Sequence, residues 1–403
     1  MKKHTVAILG FGVVGGGVAR LLTDNKEEIK NYLSCEVEIK KILDLRDFPG
    51  SPFESLIVHD FSKILSDPEI DTVIEVMGGS HPAYEFTVSA LKAGKNVISS
   101  NKEVVANFGE EFLALAKENR VLYRFEAAVG GGIPVIAPLI SCVKQNKIKE
   151  VRGILNGTTN YILTKMFTLG DSFESALKDA QERGYAERNP DADILGHDAA
   201  RKIAILTALA CGRLFAVDKI HTEGITGIRK ADVLFAESIG YKIKLLGRCI
   251  LDTEEPVVVV APYLIPSDYA LGGVSGVNNA VELLGEPLGS VMFYGPGAGA
   301  GATASAVVSD LAPIIAYGGN DALAPVFTRD EYSPKCAFEK SKSRSYIAIR
   351  PCELDRVKAV FEDITVRENG DELAILTPIL AEKEVEEKLA LAAVTPLSRI
   401  RLI

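Results

Sequence analysis

A single turn near the start of the chain limits the folds open to it. Gly10-Phe11-Gly12-Val13-Val14-Gly15 follows directly on the apolar run HTVAIL and opens a helical stretch, Val14 to Asn25. In that strand–turn–helix setting the first glycine makes the turn, the second lets a pyrophosphate approach the backbone, and the third allows close helix packing. The anion then sits on the helix N-terminus. The same alternation continues to residue 125: EVEIKKIL, DTVIEVM, NVISS and VLYRF read as strands, with helices near 82 to 93 and 103 to 119. Strands alternating with helices predict βαβ units and a parallel sheet, and nearly continuous apolar strands predict that both its faces are covered.

The 403 residues exceed what one core holds. From 136 to 290 the pattern changes, with a strand at 151 to 155, helices near 160 to 183, 193 to 211 and 231 to 238, and β-rich runs at Gly247 to Leu251 and Val257 to Ala261. A Gly-rich stretch, 295 to 303, leads into TASAVVSDLAPIIAYG, a helix expected to return to the first domain. Ser333 to Ser345 is polar and reads as a linker. Beyond it, SYIAIR, a helix from Leu354 to Phe361, ITVRE, ELAILTPIL, a helix from Glu382 to Leu391 and SRIRLI make the βαββαβ order of a ferredoxin-like module. The expected class is α/β. A Rossmann-type doubly wound sheet occupies 1 to 135, completed by 295 to 320. An α+β catalytic and dimerisation domain occupies 136 to 294, and a small ferredoxin-like domain 341 to 403.

Forty-five Lys and Arg against 54 Asp and Glu give a net charge of −9, which argues against nucleic acid as a partner. The six cysteines lie far apart, without a CxxC pair or a Cys/His cluster of zinc spacing, as expected of reduced thiols in a cytoplasmic protein. MKKHTVAILGFG breaks at its glycines and reads as a strand rather than a signal. The longest uncharged window, Pro287 to Ser309, contains Gly295, Pro296, Gly297, Gly299 and Gly301, which spoil a lipid-exposed helix, so no membrane span is expected.

Three places carry candidate chemistry. Asp44 and Arg46 stand at the end of the second strand, where an acid would hold the ribose 2′-hydroxyl of NAD and an arginine the 2′-phosphate of NADP; both readings stay open. Asn101-Lys102 lies just past NVISS, at the carboxyl edge where open α/β sheets bind ligands. In GYAERNPDADILGHDAARK, 184 to 202, Asp198 and Lys202 are four apart on one helix face, so either can orient the other. The apolar continuation KIAILTALACG predicts that this helix is buried, and burial lowers a lysine pKa towards neutrality.

At these residues the chain resembles homoserine dehydrogenases. Ala180 to Lys202 matches the family signature throughout, and GFGVVGGGV, SSNKEVVA (99 to 106), FEAAVGGGIP (125 to 134), GILNGTTNYIL (153 to 163) and YGPGAGAGATASAVVSDL (294 to 311) extend the likeness over about 310 residues. The resemblance implies NAD(P)-dependent interconversion of L-homoserine and L-aspartate 4-semialdehyde, on the way to threonine, methionine and isoleucine. It implies Lys102 and Lys202 as catalytic lysines, and Asp198 beside them. Glu187, Asp193, Gly157 and Thr158, with Lys202, would bind substrate. Gly10 to Gly15, Arg46, Ser99, Lys102 and Gly299 would bind NADP(H) or NAD(H). Glu126, with the carbonyls of Val129, Gly131 and Ile133, would hold a monovalent cation, sodium or potassium, in an all-oxygen set. The tail resembles an ACT regulatory domain without the usual D-x-P-G turn, since Arg350-Pro-Cys-Glu-Leu-Asp355 stands there. It is expected to serve oligomer contact or control and to be dispensable for chemistry. The implied assembly is a dimer or tetramer.

Two other readings compete. A sensor that binds dinucleotide or amino acid without turnover would have no need of Lys102, Asp198 and Lys202. A thiol-dependent semialdehyde dehydrogenase would need a nucleophilic cysteine, whereas Cys142 and Cys211 fall in apolar stretches where thiolates are disfavoured.

Overall fold

The computed structural model describes residues 2–320 and 324–403. The chain divides into two compact units. The first comprises Met1–Lys147, Ala204–Ala216 and Gly295–Asp330, and the second Ile148–Ile203, Val217–Tyr294 and Glu331–Ile403.

The first unit is built on β1 (Lys2–Leu9), β2 (Cys35–Leu43), β3 (Ile57–Val58), β4 (Thr72–Glu75), β5 (Asn96–Ser99) and β6 (Tyr123–Arg124). All their pairings are parallel, in the order β3-β2-β1-β4-β5-β6. This is the doubly wound order, and its direction of growth reverses between β1 and β4, where the turns at the carboxyl ends part to leave a crevice. Val6, Ile8, Ile74 and Ile98 are fully buried under the helix Val13–Asp24 and the helix Ala300–Ser309, which contributes Ala304 and Val307. Gly17 lets these two helices touch: a Cβ there would lie 2.8 Å from the Ala300 carbonyl. The run Ala300–Tyr317, long and apolar enough to cross a membrane by composition, is packed in this core.

The second unit is a mixed eleven-stranded sheet. Its strands, in chain order with the two-stranded pair of the first unit, are β7 (Lys147–Ile154), β8 (Arg213–Phe215), β9 (His221–Thr222), β10 (Tyr241–Ile250), β11 (Val257–Pro266), β12 (Asn278–Glu286), β13 (Gly289–Pro296), β14 (Thr328–Asp330), β15 (Lys342–Ile349), β16 (Thr365–Asn369), β17 (Glu372–Leu376), β18 (Leu380–Ala381) and β19 (Ser398–Leu402). The path runs β13-β12-β7-β10-β11-β19-β15-β17-β16, with β9 on β11 and β18 on β15, while β8 pairs with β14.

Local caps divide what apolar periodicity runs together. The helix expected over 160 to 183 is two, Gly157–Leu169 and Phe173–Glu182, parted at Gly170, with Ser172 capping the second. The helix expected over 193 to 211 is also two, Asp191–Ile194 and His197–Cys211. The break falls at Gly196, whose φ of +85° suits glycine alone and which packs against Thr222 and Val260.

The tail shows the expected βαββαβ order, but its attachment differs from expectation. Ser333 to Ser345 is no linker: it contains the helix Pro334–Lys340, whose Ala337 and Phe338 are buried in the core beneath β11. Two apolar residues in a polar stretch are too few to register as a periodic signal. The closing strand β19 then pairs in parallel with β11, Tyr263 opposite Arg401 and Leu264 opposite Leu402. The ferredoxin-like strands therefore continue the sheet that begins at β13. A tail dispensable for chemistry does not fit this geometry, because its removal bares the edge of a fully buried strand.

Candidate active site

In the first unit the turn after β1 has the geometry its glycines predict. Gly15 approaches the Gly10 carbonyl so closely that no side chain fits between them. Gly12, the N-cap of Val13–Asp24, faces open space, which leaves room for a phosphate. Phe11 donates its N–H to Asp44 Oδ2 at 2.8 Å. Arg46 wraps the same carboxylate, with Nε to Oδ1 and Nη2 to Oδ2 both at 3.0 Å. The Arg46 hydrogen bonds outweigh partial burial and hold Asp44 down at about 2. The acid is thus already covered by a guanidinium that is itself 64% exposed on its side chain.

At the carboxyl end of β5, Ser99 is fully buried, and Asn101 caps the helix Lys102–Glu118 by accepting the N–H groups of Glu103 and Val104. Lys102 is therefore the first residue of a helix with a fixed start. Gly299 caps Ala300–Ser309 with a positive φ of 118°.

Glu126 is buried, and its carboxylate is engaged by three backbone groups: Oε1 accepts Val135 N–H at 2.7 Å and Ile136 N–H at 2.8 Å, and Oε2 accepts Ala137 N–H at 2.6 Å. Its own N–H donates to Asp310 Oδ2 at 2.8 Å. Burial, with Glu126 close by, pushes Asp310 up to about 8, and burial also raises Glu126. Among the described residues no N–H is bonded to the carbonyls of Val129 or Gly131. The Glu126 side chain is thus largely spent on the backbone, and open oxygen atoms remain in the turn that follows it.

In the second unit one asparagine ties the predicted residues together. Asn156 accepts Thr159 N–H at 2.9 Å, which caps Gly157–Leu169, and its Nδ2 donates to Asp193 Oδ1 at 2.7 Å and Asp198 Oδ2 at 2.9 Å. Lys202 Nζ donates to the same Asp198 Oδ2 at 2.7 Å and to the Leu155 carbonyl at 2.7 Å. Asp198 and Lys202 are 4% and 8% exposed, so this ion pair is held away from solvent, in contrast to the surface pairs of the chain. Burial pushes Asp193 up. Thr158 donates to the Tyr185 carbonyl at 2.6 Å, which pins the signature loop onto the helix start. Gly157 passes under the Val277 carbonyl, 2.6 Å from where its Cβ would be.

Gly157, Thr158, Asp193, Asp198 and Lys202 are thus brought together. Glu187 lies on an exposed turn outside the hydrogen-bonded cluster. Asn156 was missed, although an Asn directly before a helix is a capping signal. Glu75, discussed below, was missed because an acid at a strand end has no pattern of its own.

Comparison with known proteins gives one consistent answer. A family model described as homoserine dehydrogenase matches residues 134–312, and one described as homoserine dehydrogenase, NAD binding domain, matches 10–126. The chain is 35% identical to the homoserine dehydrogenase of Bacillus subtilis (strain 168), over 96% of this chain and 90% of that one. It is similar to the crystal structure of a homoserine dehydrogenase from Thiobacillus denitrificans, with a TM-score of 0.90, 34% identity, and 100% and 99% of the two chains covered. A hyperthermophilic archaeal homoserine dehydrogenase mutant in complex with NADPH matches with a TM-score of 0.65 and 27% identity, over 77% of this chain and 97% of that one.

Proposed function

This chain belongs to the homoserine dehydrogenase family, and we propose that it binds its amino-acid substrate on the Asn156–Asp193–Asp198–Lys202 cluster of the second unit and its dinucleotide on the Gly10–Gly15 turn of the first. It is an NAD(P)-dependent oxidoreductase that interconverts L-homoserine and L-aspartate 4-semialdehyde. The observation that carries the assignment of roles is Lys202, whose amine is fixed between Asp198 and the Leu155 carbonyl.

The bound dinucleotide supplies or accepts the hydride. In the reducing direction the aldehyde oxygen becomes an alkoxide, which needs a cation and then a proton. Lys202 offers both from one atom, and Asp198 and Leu155 aim that atom. In the oxidising direction Lys202 takes the hydroxyl proton. Asp193 and Glu187 supply the negative charge that suits the substrate ammonium group, and Gly157 and Thr158 shape the turn beside it. Lys102 provides the second catalytic cation, with Ser99 and Gly299 lining the dinucleotide side.

NADP(H) is the preferred dinucleotide in this reading, since Asp44 is occupied by Arg46 and a 2′-phosphate would meet a guanidinium. A sodium or potassium ion would be held by oxygens of Glu126, Val129, Gly131 and Ile133; the open carbonyls of Val129 and Gly131 and the buried acids Glu126 and Asp310 support it. Residues 1–135 with 295–320 serve the dinucleotide, 136–294 substrate and dimerisation, and 341–403 an ACT-like regulatory role. The protein is cytoplasmic, in keeping with six free cysteines, and homo-oligomeric. Supporting assembly, the edge strand β13 presents Val291, Met292 and Phe293 half-buried and Tyr294 exposed.

The test is absorbance at the nicotinamide band with L-homoserine and each dinucleotide, in sodium and then potassium. Turnover is expected, faster with NADP. No turnover with either, in folded protein, overturns the reading.

A further inference from the structure

Glu75 closes β4 and is fully buried, with no cationic partner among the described residues and no place in the chemistry above. Its Oε1 accepts Met77 N–H at 2.9 Å and its Oε2 accepts the Ser99 hydroxyl at 2.5 Å. Ser99 Oγ accepts Asn101 N–H at 3.1 Å. Asn101 donates its side-chain amide to the Gly79 carbonyl at 2.7 Å and caps the helix that Lys102 begins. One chain of hydrogen bonds therefore joins a buried carboxyl to both turns at the carboxyl ends of β4 and β5, where a doubly wound sheet binds its ligand.

We propose that Glu75 is a positioning residue for Lys102: acting through Ser99 and Asn101, it sets the start of the Lys102 helix and the Val76–Gly79 turn, and its two protonation states hold them differently. This rests on the reading of Lys102 as catalytic. The hydrogen-bond inventory gives the reason for two states. Ionised, Glu75 accepts from both Met77 and Ser99, and the Ser99 oxygen is left to accept from Asn101. Protonated, Glu75 has a hydrogen of its own to donate to Ser99, whose hydroxyl proton must then turn elsewhere. Tyr123, on the neighbouring strand β6, supplies the alternative acceptor: its hydroxyl is buried, has no hydrogen-bond partner among the described residues, and lies beside Glu75 and Ser99. Burial pushes the Glu75 carboxyl up to about 7, so both states are populated at neutral pH, and the Glu75 charge in turn helps to raise Tyr123.

The experiment is the pH profile of homoserine oxidation from about pH 5.5 to 9 in the wild type, Glu75→Gln, Ser99→Ala and Lys102→Ala. The wild type should show a limb near neutrality that Glu75→Gln and Ser99→Ala both lack. Glu75→Gln and Ser99→Ala should each lose roughly ten- to a hundredfold in kcat, the scale of a misplaced catalytic group, with KM for homoserine within about twofold. Combining the two should cost little more than either, since they cut one chain. A Glu75→Gln enzyme that keeps the limb and kcat within about twofold overturns the proposal. Should Glu75→Gln not fold, Ser99→Ala decides alone by the same criteria. If Lys102→Ala keeps near wild-type kcat, the catalytic assignment fails instead, which separates the two outcomes.

Discussion

Arg401, in the last strand of the chain, meets Glu223 in a two-pronged ion pair, Nη1 to Oε2 and Nη2 to Oε1, each at 2.8 Å. The same guanidinium bonds Glu382 and lies over the ring of Phe338, which stacks on His221. Glu223 is followed by Gly224 and Ile225, whose N–H bonds the carbonyl of Ile194, next to Asp193. The tail thus reaches the backbone of the proposed substrate cluster within one unit.

From this pair follows a prediction against the dispensable tail. Arg401→Ala leaves Glu223 and Glu382 partly uncompensated and should cost about 3 kcal/mol, read as a lower Tm with weaker homoserine binding. Truncation after Lys340 should yield protein that does not fold or has no activity. A truncated enzyme with wild-type kcat and an unchanged melting curve would refute this. Burial alone would raise Glu223, but His221 and Arg401 together outweigh it and hold it near 2. Its pKa is depressed on folding, so its contribution is present above about pH 4.3 and is lost as pH falls towards 2.

Lys244 predicts a second rise of stability with pH, in an alkaline window. It is 2% exposed, donating to Asn160 Oδ1 at 2.9 Å and the Val274 carbonyl at 2.5 Å, and burial pushes its ammonium down to about 7. Between that value and about 10.4 the unfolded chain holds a proton that the folded one has released, so this group makes stability rise with pH across the window. Urea unfolding at pH 7, 8.5 and 9.5 should show the rise in the wild type and a flatter profile in Lys244→Met. Equal slopes in the two proteins would show that Lys244 does not titrate there.

Removing the amine of Lys202 or Lys102 should lower kcat by roughly 10² to 10⁴ fold, the span of a lost acid–base group. Lys202→Ala should still bind dinucleotide, because that site belongs to the other unit. Steady-state kinetics with a binding titration checks both, and near wild-type kcat in Lys202→Ala would remove it from proton transfer.

Arg46→Ala should weaken NADP by roughly 10- to 100-fold, the value of a hydrogen bond to a charged group, and leave NAD within a few fold. It also frees Asp44 to accept a ribose hydroxyl. Comparison of KM for the two dinucleotides decides: an unchanged ratio means that Arg46 does not read the 2′-phosphate.

What could be read from the chain alone were features encoded in neighbouring residues. The Gly10–Gly15 turn, the βαβ alternation and the Asp198–Lys202 spacing are local, because a turn, a pleat and a helix face repeat within a few residues. They suffice for the fold class and for most of the proposed substrate cluster. Only tertiary structure decided that Asp44 is covered by Arg46, that Glu126 is spent on backbone N–H groups, and that Asn156 joins two acids 37 and 42 residues away. It also decided the place of the tail, since the pairing of Arg401 with Tyr263 joins residues far apart in sequence. Such contacts depend on which buried polar groups find partners after the chain has closed on itself, and no short-range pattern records that outcome.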